Sequence, residues 1–111
     1  MSDYDSRADT LAHVHAVRDR IGTFVTEMLR RARVHDASKF SPEEKPVYDR
    51  VFPLLKGVSY ASPEWDALVE QAGPALAHHY RQNSHHPEHH ADGVAGMDLF
   101  DVVEMLCDWM A

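Results

Sequence analysis

The sequence has one cysteine, Cys107, so a single chain cannot form an internal disulfide. It contains no Cys-x-x-Cys pair, no glycine-rich phosphate loop, no Gly-x-Ser-x-Gly elbow and no His-Glu-x-x-His zinc motif, so four familiar kinds of active site are not indicated. No apolar run approaches the roughly 20 residues that span a bilayer. Together with a polar N-terminus, these features predict a cytoplasmic protein without a membrane partner. Cys107 lies in an apolar helical pattern and is expected to be a core residue.

Positive charge is also scarce. The chain has 11 lysines and arginines against 18 acidic residues, which gives a formal charge of −7 with histidine neutral. Such a chain has no general attraction for duplex nucleic acid or for an anionic membrane. If it handles a phosphate group, the positive charge must be local, and bound metal ions could supply it.

The apolar pattern predicts helices throughout. Residues 8–33 carry apolar side chains at spacings of three and four, which is typical of a long amphipathic helix with one buried face. Ser41-Pro42 and Ser62-Pro63 have the form of helix starts, and Asp98 is a candidate cap for a last helix to Met110. Gly73-Pro74 is expected to separate two further helices. The sequence therefore predicts an all-α, compact single-domain bundle of about five helices over residues 1–111.

Histidine is the abundant residue. Six of the nine histidines lie between His78 and His90, and imidazole is the commonest metal ligand in proteins. The pairs His78-His79 and His85-His86 are each expected to direct one ring inward and one outward. The alternative is a solvated histidine-rich turn.

Two other places carry candidate ligands. His35-Asp36 follows the first helix, and Lys39 places a cation close by; the alternative is that Asp36 caps a local turn while His35 and Lys39 lie at the surface. On the last helix, Glu104 and Asp108 are four residues apart and share a face. That face is either a solvent-facing acidic side or a source of metal ligands. In the first helix, His13 and His15 flank the apolar stripe on opposite edges, so either could point into a site.

Taken in their order along the chain, these candidate ligands resemble those of the HD-domain superfamily of metal-dependent phosphohydrolases. His35-Asp36-Ala37-Ser38-Lys39 is similar to that superfamily's His-Asp-x-Gly-Lys, with Ser38 in place of the glycine. The chain also resembles a small family of bacterial and phage proteins of unknown function, in four motifs that cover almost its whole length. These motifs are His13 to Val17, His35 to Phe40, Asn83 to Glu88 and Glu104 to Trp109.

The resemblance implies an HD-like fold and a set of ligands. For one metal ion the implied ligands are His13, His35, Asp36 and Asp108. In two-metal HD proteins inner histidines complete a second site, for which the candidates here are His79 and one of His85 and His86, with Asp36 as the bridge. The resemblance thus favours His13 over His15, a choice that spacing leaves open. His89 is a further candidate within the tract.

The function we expect is metal-dependent hydrolysis of a nucleotide or another small phosphoester. One or two Mn, Fe, Zn, Co or Mg ions would activate a water molecule. Lys39 would hold a phosphate oxygen, Asn83 would form hydrogen bonds in the site, and Glu88 or Glu104 would orient or deprotonate the water. One alternative is a di-iron oxygenase of the HD fold. Another is a metal-stabilised phage or bacterial accessory protein without catalytic activity. A homodimer would suit so small a domain.

Overall fold

The computed structural model describes residues 3–111, and this part of the chain contains five α-helices and no strand. It confirms the prediction of an all-α protein with about five helices. The helices are α1 (Arg7–Val34), α2 (Lys45–Leu55), α3 (Pro63–Gln71), α4 (Gly73–Gln82) and α5 (Leu99–Met110). Short 3-10 turns lie at Ala37–Phe40, Pro87–His89 and Gly93–Gly96. None of the helices in residues 3–111 has the length and apolar character needed to cross a membrane.

The chain divides into two compact units, the first ending at Arg33 and the second spanning Val34–Ala111. The first unit is essentially α1, a 28-residue helix with no buried residue. Its apolar stripe was expected to be a buried face, but most of the stripe is exposed and only Phe24 and Met28 are half-buried. Periodicity reports only that a face is apolar, and the described part of the first unit contains no second helix on which that face could pack.

The second unit has a core that is as polar as it is apolar. Helix α2 packs on α3, while the turn Ala37–Phe40 contacts both α2 and α4. The buried apolar residues are Tyr48, Val51, Ala72, Ala75 and Met105, and the buried polar residues are Glu44, His79, Asn83, His85 and Asp101. Because buried polar groups are costly unless they have partners, this half of the core must be held by a specific network.

Most helix boundaries follow from local signals. Ser62 caps α3 by accepting a hydrogen bond from the Trp65 backbone N–H at 3.1 Å. Asp98 caps α5 in a reciprocal capping box with Asp101. The start predicted at Ser41 is wrong, since α2 begins four residues later, at Lys45. Residues 41–44 form a turn instead, and that turn carries the Glu44 side chain into the core.

The apolar residues of helix α5 were expected to face the core, but the helix directs its acidic residues inward instead. Asp101 and Met105 are buried, and Glu104 is directed at two histidines, so the largely acidic face lies inward. The apolar side chains of Trp109 and Met110 are 67% and 86% exposed. Cys107 is also exposed, so its expected place in the core is wrong. The contacts of the carboxylates with buried histidines explain this orientation, because an imidazole in the core needs a polar partner.

Candidate metal centre

The turn after α1 places Asp36. Its backbone has φ 53° and ψ 20°, the left-handed conformation that Asp adopts more readily than most residues. The Asp36 carbonyl oxygen accepts the Lys39 backbone N–H at 2.9 Å, and Lys39 Nζ lies 2.9 Å from Asp36 Oδ2. These contacts fix one carboxylate oxygen and leave the other, Oδ1, directed into the unit.

Helix α4 and the segment after it supply three imidazoles. His79 lies in the last turns of α4, which ends at Gln82, while His85 and His86 follow in irregular backbone. The Asn83 side-chain amide donates to the His79 carbonyl oxygen and to Ser38 Oγ, each at 2.8 Å. This amide therefore joins the end of α4 to the turn that carries Asp36.

The side chains converge in two overlapping groups of potential metal ligands. The first group is Asp36, His79, His85 and His86, and the second group is His35, His85 and Asp108. From Asp36 Oδ1, the distances to Nε2 of His35, His79 and His85 are 3.5, 3.4 and 3.3 Å. The Nε2 atoms of His79 and His86 are 3.0 Å apart. Asp108 lies farther out, 3.6 Å from His35 Nε2.

These separations suit one metal ion. Ligand atoms bound at about 2.0–2.2 Å are themselves about 3.0–3.5 Å apart in octahedral or tetrahedral geometry. Asp36 Oδ1 and His85 Nε2 are also buried without a hydrogen-bond partner, although they face each other across 3.3 Å. Buried polar atoms usually have partners, and an ion between them would satisfy both. The donors are nitrogen and oxygen only, a set that suits Zn, Mn, Fe or Co.

A buried glutamate that sequence reasoning missed holds two of the histidines. Glu44 is completely buried. Its Oε1 accepts from His79 Nδ1 at 2.8 Å and its Oε2 from His78 Nδ1 at 2.6 Å. The Tyr48 hydroxyl also donates to Oε1, at 3.2 Å. Since an ionised carboxylate only accepts hydrogen bonds, His79 carries its proton on Nδ1 and directs the Nε2 lone pair towards Asp36.

Glu104 likewise accepts hydrogen bonds from two imidazoles, those of His35 and His85. Its Oε2 accepts from Nδ1 of His35 at 2.8 Å and from Nδ1 of His85 at 2.9 Å. Both imidazoles therefore direct Nε2 towards Asp36 Oδ1. The paired geometry around Glu44 and Glu104 is typical of histidine ligands, whose second ring nitrogen is held by a carboxylate.

The ionisation of the two carboxyl groups, Asp36 and Glu44, depends on burial and on neighbouring side chains. Burial raises the pKa of Asp36, but contacts with His79, His85 and Lys39 outweigh it and hold the pKa far below its usual value. Burial likewise opposes ionisation of Glu44. Hydrogen bonds from Ser38, His78 and His79 outweigh burial and lower the pKa of Glu44 overall. Both groups are thus carboxylates at neutral pH.

The pKa values of His79 and His86 shift in opposite directions. Burial lowers the pKa of His79, but Asp36 and Glu44 raise it above the usual value. Burial, followed by the neighbouring rings of His85 and His79, lowers the pKa of His86. The two adjacent rings therefore differ in how strongly they hold a proton.

The remaining candidate residues from the sequence lie in both units of the chain. His13 and His15 lie on α1 in the first unit and are exposed. Glu88 is exposed and belongs to neither ligand group. His89 Nδ1 donates to the Tyr80 carbonyl oxygen, and His90 Nε2 donates to that of Ser84, each at 2.8 Å. His35, Asp36, His79, His85, His86 and Asp108 are the predicted ligands that the second unit brings together.

We expect metal uptake to depend on pH. A histidine ligand must be neutral, and the raised pKa of His79 means that protons compete for its ring at a higher pH than for free imidazole. Uptake of Zn or Co should therefore be complete near pH 8 and be lost as the pH falls towards about 5.5. Equilibrium dialysis across this range checks the expectation. Uptake that stays constant down to pH 5 would mean that imidazoles do not bind the ion.

Comparison with known proteins returns one family. Residues 2–111 match the model of DUF5662, which is described as a family of unknown function. No curated protein and no solved structure matches the chain.

Proposed function

Because the chain belongs to the DUF5662 family, whose function is unknown, we propose a function from the site itself: a metal-dependent phosphohydrolase that acts on a small phosphoester such as a nucleotide. The observation that carries the proposal is the pair of buried, unpartnered atoms Asp36 Oδ1 and His85 Nε2, which face each other within a larger group of imidazoles. The single cysteine agrees with a reducing compartment, and we place the activity in the cytoplasm.

Two contacts favour one ion over two. Lys39 occupies Asp36 Oδ2, so only Oδ1 remains for a metal and the carboxylate does not bridge two ions through both of its oxygens. Glu104 occupies His85 Nδ1, so His85 can bind one ion through Nε2, although it belongs to both ligand groups. We therefore propose a single ion held by Asp36, His79, His85 and His86. This argues against the di-iron alternative, which needs two.

The remaining residues lie at the more open edge of the site. His35 and Asp108 are 29% and 31% exposed, whereas His79 and His85 are buried. A substrate would thus approach past His35 and Asp108. An ionised Asp108 can accept the proton of an attacking water molecule, a role for which Glu104, already bonded to two histidines, is poorly placed.

The reaction is a hydrolysis. When bound, a divalent ion lowers the pKa of water and polarises a phosphoryl oxygen. The water oxygen forms a bond to phosphorus, the bond from phosphorus to the leaving oxygen breaks, and that oxygen takes up a proton. The Lys39 ammonium, 40% exposed and next to Asp36, is the cation available to a non-bridging phosphate oxygen.

A direct test uses untagged protein loaded separately with Mn, Co, Zn, Fe and Mg. We expect phosphate release from nucleotides or generic phosphoesters with at least one metal, and none after chelation. Activity that survives Asp36→Ala would indicate a contaminant. If the loaded protein releases no phosphate from any of these substrates, the phosphohydrolase proposal fails, even where the metal binds.

The proposed contact of Lys39 with a phosphate oxygen predicts a separate effect. Lys39→Met should lower kcat/KM for the best phosphoester by about 100-fold, because a charge that stabilises the transferring group is lost. The kcat/KM values are compared at equal metal content, because Lys39 also holds Asp36 Oδ2. Lys45→Met is the matched control, since Lys45 pairs with Asp49 at 2.6 Å and has no contact with either ligand group. An equal loss in both variants would contradict a role for Lys39.

A further inference from the structure

The first turn of α5 contains a buried carboxyl group, that of Asp101. Its Oδ2 accepts the Asp98 backbone N–H at 3.1 Å, which is half of the capping box that begins the helix. Its Oδ1 accepts the Ser84 hydroxyl at 2.6 Å, a short hydrogen bond for a hydroxyl donor. Asp101 therefore joins the start of α5 to the residue that directly precedes His85.

Ser84 is held through its backbone as well as its side chain. Its carbonyl oxygen accepts from His90 Nε2 at 2.8 Å, and the same nitrogen lies 3.6 Å from Asp101 Oδ2. The preceding residue, Asn83, donates to Ser38 Oγ in the turn that follows Asp36. Residues 83 and 84 thus fasten this segment to two different parts of the unit.

The contact of Ser84 with Asp101 lies beside the contact that orients His85. Asp101 and Glu104 are three residues apart on α5 and share a face. Glu104 Oε2 accepts from His85 Nδ1 at 2.9 Å, so two consecutive residues of the chain, Ser84 and His85, meet the same face of α5. The bond from Ser84 therefore sets the point along α5 at which His85 meets Glu104.

The position of His85 depends on such contacts, because His85 and His86 lie outside the helices. A ligand ring stays in place only where neighbouring groups fix both its backbone and its second ring nitrogen. Glu104 holds the ring of His85, while Ser84 and Asn83 hold the backbone before it.

We propose that Ser84 is a positioning residue of the metal site: its hydroxyl, bonded to Asp101, keeps His85 and His86 where both rings reach the ion. The inference rests on the proposed metal site and is independent of the hydrolysis. It requires a hydroxyl donor at position 84, since an alanine there would remove the bond to a buried oxygen of Asp101.

Titration of the untagged full chain with Co tests the role of Ser84. Ser84→Ala should weaken Co binding by about 10-fold, as expected for a residue that supports a ligand. The visible absorption spectrum of the bound Co should change, because the arrangement of the imidazoles around the ion changes. Ser84→Thr retains the hydroxyl and should restore both the affinity and the spectrum. An equal loss in the two variants overturns the proposal.

Ser62→Ala is the matched control. The Ser62 hydroxyl oxygen accepts the Trp65 backbone N–H at 3.1 Å and caps α3, which carries no residue of either ligand group. This variant should unfold at a lower temperature but bind Co with the wild-type affinity and spectrum. If it alters the Co spectrum as much as Ser84→Ala does, lost stability accounts for the effect and the proposal is overturned.

A double variant tests whether Ser84 acts through Asp101. In an Asp101→Ala background, Ser84→Ala should cause no further loss of Co affinity, because the two side chains share one hydrogen bond. Additive losses overturn the proposal. If Asp101→Ala does not fold, the comparison of Ser84→Ala with Ser84→Thr decides. Wild-type protein that binds no Co would refute the metal site itself, whereas unchanged binding in Ser84→Ala would refute only the role of Ser84.

Discussion

Replacing His85 with glutamine is expected to abolish stoichiometric metal binding. His85 is 1% exposed, belongs to both ligand groups and directs an unpartnered Nε2 at Asp36 Oδ1, 3.3 Å away. Glutamine keeps most of the volume but cannot place a nitrogen lone pair at that position. Affinity for Zn or Co should fall by more than about 100-fold, since loss of the residues that merely support a ligand costs 10–100-fold. Competitive titration with a chromophoric chelator measures the change.

His89→Gln is the matched control. His89 lies four residues along the same tract, but it is exposed and bonded to the Tyr80 carbonyl oxygen. Its replacement should leave affinity within about twofold. If the two variants lose metal equally, the tract binds ions as a loose histidine-rich surface, and the buried site is not the centre.

Replacing Glu44 with glutamine should weaken the metal and the fold together. The amide nitrogen can no longer accept from Nδ1 of His78 or His79, so the half-buried ring of His78 or the buried ring of His79 loses its partner or turns its proton onto Nε2. Leaving a buried polar group unsatisfied costs about 1–3 kcal/mol of stability. We expect metal affinity to fall by about 10–100-fold. Thermal unfolding with chelator and metal titration at pH 7.5 measure the two effects separately.

Glu43 provides a neighbouring control. Glu43 is exposed, whereas Glu44 is completely buried. Glu43→Gln should alter neither the unfolding temperature nor the metal affinity measurably. An unchanged metal affinity in Glu44→Gln, with its stability lost, would show that the buried carboxylate supports only the fold.

The candidate ligands were largely accessible from the sequence because they lie in recognisable local patterns. A His-Asp pair after a helix singled out His35 and Asp36, and the doubled histidines marked the tract, whereas the choice of His79 with one of His85 and His86 came from the resemblance. Both His85 and His86 belong to one ligand group, although one ring of that pair was expected to point outward. Glu44 gave no such signal. It reads as an ordinary acidic residue in the first turn of a helix, and only tertiary packing shows that this turn is not helical and points inward.

The spacing of apolar residues predicted which segments are helical better than it predicted which side chains are buried. The spacing of apolar residues located α1 and α5, but it assigned the apolar side of each helix to the core. In α5 the contacts of Glu104 with His35 and His85 direct the carboxylates inward, and periodicity cannot anticipate such a network. Sequence periodicity reports that a face is apolar, whereas the direction in which that face turns depends on residues elsewhere in the chain.

The central claim concerns a single divalent ion at Asp36, and anomalous diffraction from crystals grown with Zn or Co tests it most directly. We predict one strong peak per chain, about 2.0–2.2 Å from Asp36 Oδ1 and from Nε2 of His79, His85 and His86. A peak at another group of histidines, or no peak among these four residues at saturating metal, would contradict the account.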